Sequence, residues 1–177
     1  MASQSRASYS LGQGDVMEWD EFEAACPEIG RLARERLAKD ELVMLGTLRR
    51  DGSPRISPCE VDFAGGRIFF GMMWHSMKAL DLRRDPRLVV HSVTRDRAGT
   101  DGDIKLYGRA IEVFDAPTRE LFRETVQARL DWAPEEPQFH VFALDVERAG
   151  YAVFDDERQR TMVWEPSGGL RVLDGDG

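Results

Sequence analysis

The chain has 177 residues, 42% of them hydrophobic and 32% charged, with 32 acids against 24 lysines and arginines and a net charge of −8. That length is enough for one domain with a substantial core. The acidic balance argues against a general binder of nucleic acid or anionic membrane, since both need a basic footprint. No apolar run reaches membrane-spanning length and the N-terminal stretch has no hydrophobic signal core, so a cytoplasmic protein is expected.

Residues 1–16 are polar and rich in Gly and Ser and are expected to form a disordered tail ahead of a single domain over 17–177. Residues 18–25 read as a short helix with Trp19 and Phe22 three apart. Pro27 opens a second helix over 28–39, with Ile29, Leu32, Ala33 and Leu37 on one face. The run LVMLGTL, residues 42–48, reads as a buried strand. Asp51-Gly52 then signals a hairpin, and the return strand is expected over 54–63. Its alternation groups Arg55, Ser57, Cys59, Val61 and Phe63, while Pro54 and Pro58 point to a sheet edge or bulge.

After the Ala64-Gly65-Gly66 turn, RIFFGM (67–72) reads as a strand and 76–84 as a short helix that Pro86 stops. A strand over 88–93, a polar loop over 94–103 and a long strand over 104–114 with a bend at Gly108 follow. Asp115 is a plausible N-cap for an amphipathic helix over 117–130. Further strands are expected over 138–146, 151–154, 161–164 and 170–173. Six to eight antiparallel strands with two or three peripheral helices make an α+β barrel.

The segment 53–92 is the most informative. Lysine occurs only at Lys39, Lys78 and Lys105, and Lys78 falls in the first turn of the helix that Ser76 begins. Free backbone N–H groups and the helix dipole make such an end an anion site, and the expected guest is a cofactor phosphate. The two cysteines, Cys26 and Cys59, have no metal-ligand or redox-pair spacing, so no metal site is expected.

The runs GTLRRDGSPRISP, GGRIFFGMMWHSMKALDLRRDPRLVVHS and IKLYGRAIEV resemble the pyridoxamine 5′-phosphate oxidase-like family, the FMN-binding split-barrel proteins that also include F420-dependent enzymes. The resemblance covers residues 41–114. It implies a dimeric split β-barrel with cofactor sites at the homodimer interface. It assigns Arg55, Ile56, Ser57 and Pro58 to the strand along the cofactor ring, Gly71 and Met72 to its partner strand, and Ser76 and Lys78 to the phosphate. A tryptophan and an arginine near the family's C-terminus correspond to Trp164 and Arg171.

Two departures lower the positive charge. Met77 stands where the family's phosphate-binding arginine is usual, and Glu60 stands where vitamin B6 oxidases carry a basic residue. Both argue against turnover of pyridoxamine phosphate itself. The expected function is an FMN-dependent oxidoreductase, alternatively an F420-dependent one, acting on a small organic substrate. The competing reading is a non-catalytic split-barrel module that binds or stores a flavin or serves interaction. No hydrolytic triad or P-loop is present, as expected where a cofactor carries the redox chemistry. Trp74 and His75 could stack at the site mouth. His91 and His140 read as core or interface histidines, and Met72, Met73 and Met77 as packing or a dimer seam.

Overall fold

The computed structural model describes residues 16–155 and 158–176. The expected tail over 1–16 therefore lies, Val16 apart, outside the described residues. The elements are α1 (Trp19–Ala25), α2 (Pro27–Asp40), β1 (Leu42–Leu48), β2 (Pro54–Glu60), β3 (Asp62–Ala64), β4 (Arg67–Met73) and α3 (Met77–Arg84). They continue with β5 (Arg87–Ser92), β6 (Asp103–Glu112), α4 (Ala116–Leu130), β7 (Phe139–Asp155), β8 (Arg158–Glu165) and β9 (Gly169–Asp176). Antiparallel ladders join all nine strands into one sheet, with the order β2-β1-β5-β6-β7-β4-β3 and a β8–β9 hairpin added beside β7.

The expected strand over 54–63 is broken at Val61. Its N–H leaves the sheet path to bond the Glu41 carbonyl at 3.2 Å. Residues before the break pair with β1 and residues after it with β4. The two edges of the rolled sheet are thus consecutive in the chain, joined by one residue. Among the described residues no ladder joins β2 to β4, and the barrel is split there. Pro54 and Pro58 do lie on an edge strand, where a missing N–H costs the ladder nothing.

The separate strands expected over 138–146 and 151–154 are one strand, β7, of 17 residues. The gap expected between them holds Glu147 and Arg148. The ladder instead absorbs it as a bulge, with Tyr107 opposite Arg148 and Gly108 opposite Val146. Gly108 is required there, because a Cβ would stand 1.8 Å from the Asp145 carbonyl oxygen. The Arg148 guanidinium lies 4.2 Å over the Tyr107 ring. β7 pairs along its length with β6, while its other edge serves β4 first and β8 later. Nine strands form where six to eight were expected: the stretch 54–63 divides into β2 and β3, and β8 and β9 extend the short strands expected over 161–164 and 170–173 into a hairpin paired along its full length.

Two apolar layers follow from β4. Ile68, Phe70 and Met72 face the barrel interior, where Leu45, Leu106, Leu144 and Trp164 meet Trp19 and Phe22 of α1. Phe69 faces outward to a second cluster with Phe122 and Val126 of α4 and Phe139 and Val141 of β7. Burial on both faces explains why RIFFGM carries no polar alternation. The Asp115 side chain caps α4, accepting from the Thr118 N–H at 3.0 Å. Among the described residues no helix is long and apolar enough to cross a membrane.

Candidate functional site

The split between β2 and β4 leaves two strand edges without ladder partners. β3 covers only the first part of β4, and the outer edge of β2 is open. The backbone groups of Pro54–Glu60 and around Gly71 that point away from their ladder partners are therefore open to a ligand, apart from the Pro58 and Gly71 carbonyls, which accept from Lys78 and Cys59. The Cys59 thiol reaches across to the Gly71 carbonyl, with Sγ at 3.7 Å. Burial pushes that thiol's pKa up, although the neighbouring Lys78 opposes it. It is a packing group, as its sequence context suggested.

The turn from β4 into α3 is braced by aromatic stacking. His75 has φ +57, a left-handed conformation with a steric cost for a non-glycine residue. His140, 2% exposed, holds this turn. Its ring stacks on Trp74 at 4.5 Å and 10°, and its Nε2 accepts the His75 backbone N–H at 3.3 Å. His140 Nδ1 therefore donates to Glu112 at 2.9 Å, and Arg83 donates to the same carboxylate at 3.0 Å.

The brace delivers Ser76 as the N-cap residue of α3, with no side-chain cap hydrogen bond to the helix. Its Oγ is buried and has no partner. An uncapped amino end beside this hydroxyl gathers unpaired donors in one notch. The Lys78 ammonium donates to the Pro58 carbonyl at 2.6 Å and pins α3 to β2.

Beyond the notch, Arg55 donates through Nε to Asp81 at 2.6 Å. Asp81 also accepts from Thr47 at 3.1 Å and from Arg84 at 3.2 Å. Burial alone would raise this carboxyl's pKa, and the three donors outweigh burial and hold it below the usual range. Arg49, Arg50, Arg55 and Arg84 line a hollow of about 420 Å³ against two carboxylates, Asp51 and Asp81, with Met77 at its side. The missing cation at Met77 thus has guanidinium neighbours.

On the other side of Lys78 a cleft of about 720 Å³ runs between Pro58, Gly71 and Met72 and the α4 face of Phe122 and Val126, with Trp132 and Glu135 beyond. Gly71 makes this possible: a Cβ there would meet the Phe122 ring at 2.6 Å.

Seven of the expected residues, Arg55, Ser57, Pro58, Gly71, Met72, Ser76 and Lys78, converge on the notch and the split, and Ile56 lies beside them with 70% of its surface exposed. Met72 is 3% exposed, so only its backbone faces the split. Trp164 is not brought there. It is 3% exposed in the core and packs edge-on against Phe22 at 5.0 Å. Sequence reasoning did not find Asp81, Glu112 or His140 as parts of this arrangement. His140 was placed in the core correctly, but its partners come from the β4–α3 turn and from β6, far from it in the chain, and leave no local spacing signal.

The family model described as pyridoxamine 5′-phosphate oxidase matches residues 30–152. No curated protein sequence matches the chain. Among solved structures, PhzG from Burkholderia lata 383, in complex with tetrahydrophenazine-1-carboxylic acid, is similar with TM-score 0.64 and 17% identity, over 86% of this chain and 93% of that one. A pyridoxamine 5′-phosphate oxidase-related, FMN-binding protein from Nostoc punctiforme PCC 73102 is similar with TM-score 0.64 and 15% identity, over 85% and 96% of the two chains. A heme-binding protein from Mycobacterium smegmatis gives TM-score 0.56 and 15% identity, over 81% and 86%. At these identities the structures speak for the fold, while the family match spans most of the chain: it belongs to the pyridoxamine 5′-phosphate oxidase family.

Proposed function

We propose that the protein binds FMN and works as an oxidoreductase on a small organic substrate, with residues 17–177 acting as one domain in a homodimer. The observation that carries this reading is the uncapped amino end of α3 with the buried, unpartnered Ser76 Oγ. A phosphate there would satisfy that hydroxyl and the free N–H groups together. Lys78 and the arginine-lined hollow supply the countercharge.

Arg55, Ile56, Ser57 and Pro58 would offer an open strand edge along the ring, and Gly71 and Met72 a facing backbone. FMN, when bound, supplies hydride or electron transfer. The chain's own residues bind and orient. His140 fixes the turn, Asp81 aims Arg55, and the apolar α4 wall excludes water. Trp164 serves the core. Ile56, Met73, Trp74 and Met77 are 70%, 79%, 48% and 58% exposed around the notch, an apolar fringe suited to a second copy. The FMN-binding relative from Nostoc supports FMN over F420.

Titration of the purified protein with FMN, riboflavin and F420, followed in the visible spectrum, tests the reading. FMN is expected to bind at least about a hundredfold tighter than riboflavin, since the phosphate contributes charge-assisted hydrogen bonds. Equal affinity for riboflavin would refute the notch. Preference for F420 would move the protein to the deazaflavin branch. Light scattering is expected to give twice the chain mass of 20.1 kDa.

A further inference from the structure

The edge strand β2 is polarised from end to end. Arg55 lies near its start, beside the arginine-lined hollow. Glu60 ends it five residues later, about 17 Å away at the rise of an extended strand. Asp62 follows across the Val61 break. One guanidinium, Arg129 of α4, serves this end, donating to Asp62 at 2.8 Å and Glu60 at 2.9 Å and standing 3.6 Å from Glu41. Three carboxylates thus share one cation.

Glu60, Asp62 and Glu135 line the 720 Å³ cleft, and the one cation lining it among the described residues is Lys78, at the notch end. The remaining wall is aromatic and aliphatic. Phe122 and Phe139 stack at 6.1 Å and 28°, and Trp132, 59% exposed, stands at the rim.

We infer that the Glu60 end of this cleft is the substrate site and takes a flat aromatic molecule without an anionic group, neutral or cationic. The inference rests on the flavin reading, because the notch end of the same cleft is given to the cofactor. A ring of this kind finds stacking surfaces in Trp132 and the α4 wall. A phosphate or carboxylate on it would be brought against a partly desolvated wall whose carboxylates outnumber their one shared guanidinium, where the net like charge repels it. The sign of the cleft therefore sets specificity, and Glu60 is its principal determinant.

The test titrates the protein, with and without FMN, with two matched pairs of probes: pyridoxamine against pyridoxamine 5′-phosphate, and an aminoquinoline against a quinoline carboxylate. Binding is read from quenching of Trp132 fluorescence, isolated by comparison with Trp132→Phe. The uncharged or cationic member of each pair is expected to bind at least about tenfold tighter. Glu60→Gln, which keeps the shape, is expected to narrow that preference, and Glu60→Lys to invert it. An anionic probe that binds as tightly as its partner, failure of both pairs to bind, or a preference untouched in Glu60→Gln overturns the inference. FMN titration is scored separately. Charge preference without FMN binding would sink the cofactor reading and leave this site standing, and FMN binding without charge preference would do the reverse.

Discussion

Replacing Asp81 with Asn tests whether the Arg55 end of β2 is held by charge. The Asp81 side chain is 2% exposed and that of Arg55 is 20% exposed. Asn keeps the volume and one carbonyl oxygen, which in the place of Oδ2 can keep the bonds that Arg55 and Thr47 share there, while the bond from Arg84 to Oδ1 is lost. Removing one partner of a buried ion pair costs about 3–5 kcal/mol. Arg55 and Arg84 retain some contact with water, and the surviving bonds return part of the loss, which leaves about 2–3 kcal/mol. A denaturant slope of about 2–3 kcal/mol/M converts this to a fall of about 1 M in the urea midpoint, read by circular dichroism at pH 7. The partner variant Arg55→Met removes the orphaned guanidinium. In the double variant the costs are expected to fall short of additivity by at least about 1 kcal/mol. A midpoint within about 0.2 M of wild type, or strictly additive costs, refutes the claim that Asp81 holds Arg55.

Lys78→Met is expected to weaken FMN binding about ten- to a hundredfold by visible titration while leaving the circular dichroism spectrum unchanged, since a charge-assisted bond contributes about 1.5–3 kcal/mol. Gly71→Ala pushes against the end of the buried Phe122 ring and is expected to cost about 1–3 kcal/mol, measured as a lowered Tm. Gly108→Ala meets the backbone oxygen of Asp145 at 1.8 Å and is expected to leave no soluble folded protein. An acid titration of stability should be level from about pH 7 to 5 and fall below about pH 4. Hydrogen bonds from Arg87 hold Asp85 down at about 2, those from Arg34 and Arg119 lower Glu23 and Glu136, and Asp81 is lowered as well. Carboxylates depressed by folding contribute stability above their unfolded pKa and lose it as pH falls through their folded pKa. Asp62, raised by burial, acts in the opposite sense and makes the slope shallower. A midpoint that rises on acidification to pH 3 would refute this assignment.

The sequence revealed what local chemistry encodes. Asp51-Gly52, Pro27, Pro86 and Asp115 each mark an element end through φ restriction or capping, and each end appears where expected. The Ser76 notch was legible for the same reason, as a polar residue opening a short helix after a strand. The break at Val61 was not legible. Apolar and polar residues alternate from Cys59 straight through Val61 to Phe63, and the break is dictated by closure of the barrel and the Glu41 carbonyl. Trp164 was assigned to the cofactor by resemblance, whereas the structure sends it to the core because its neighbours there, Phe22 and α1, come from the opposite end of the chain. The Arg55–Asp81 pair spans 26 residues, and nothing in either segment alone announces it.

The uninterrupted course of β7 leaves the C-terminal hairpin without a hinge. One stiff ribbon crosses from the barrel wall into the β8 ladder, and Met162 and Trp164 plug the barrel interior from that arm. Strain applied at β9 is transmitted to the strand that flanks β4, and the arm cannot be shed as an appendage without opening the core. Its β8 amides should exchange hydrogen with the barrel as one cooperative unit.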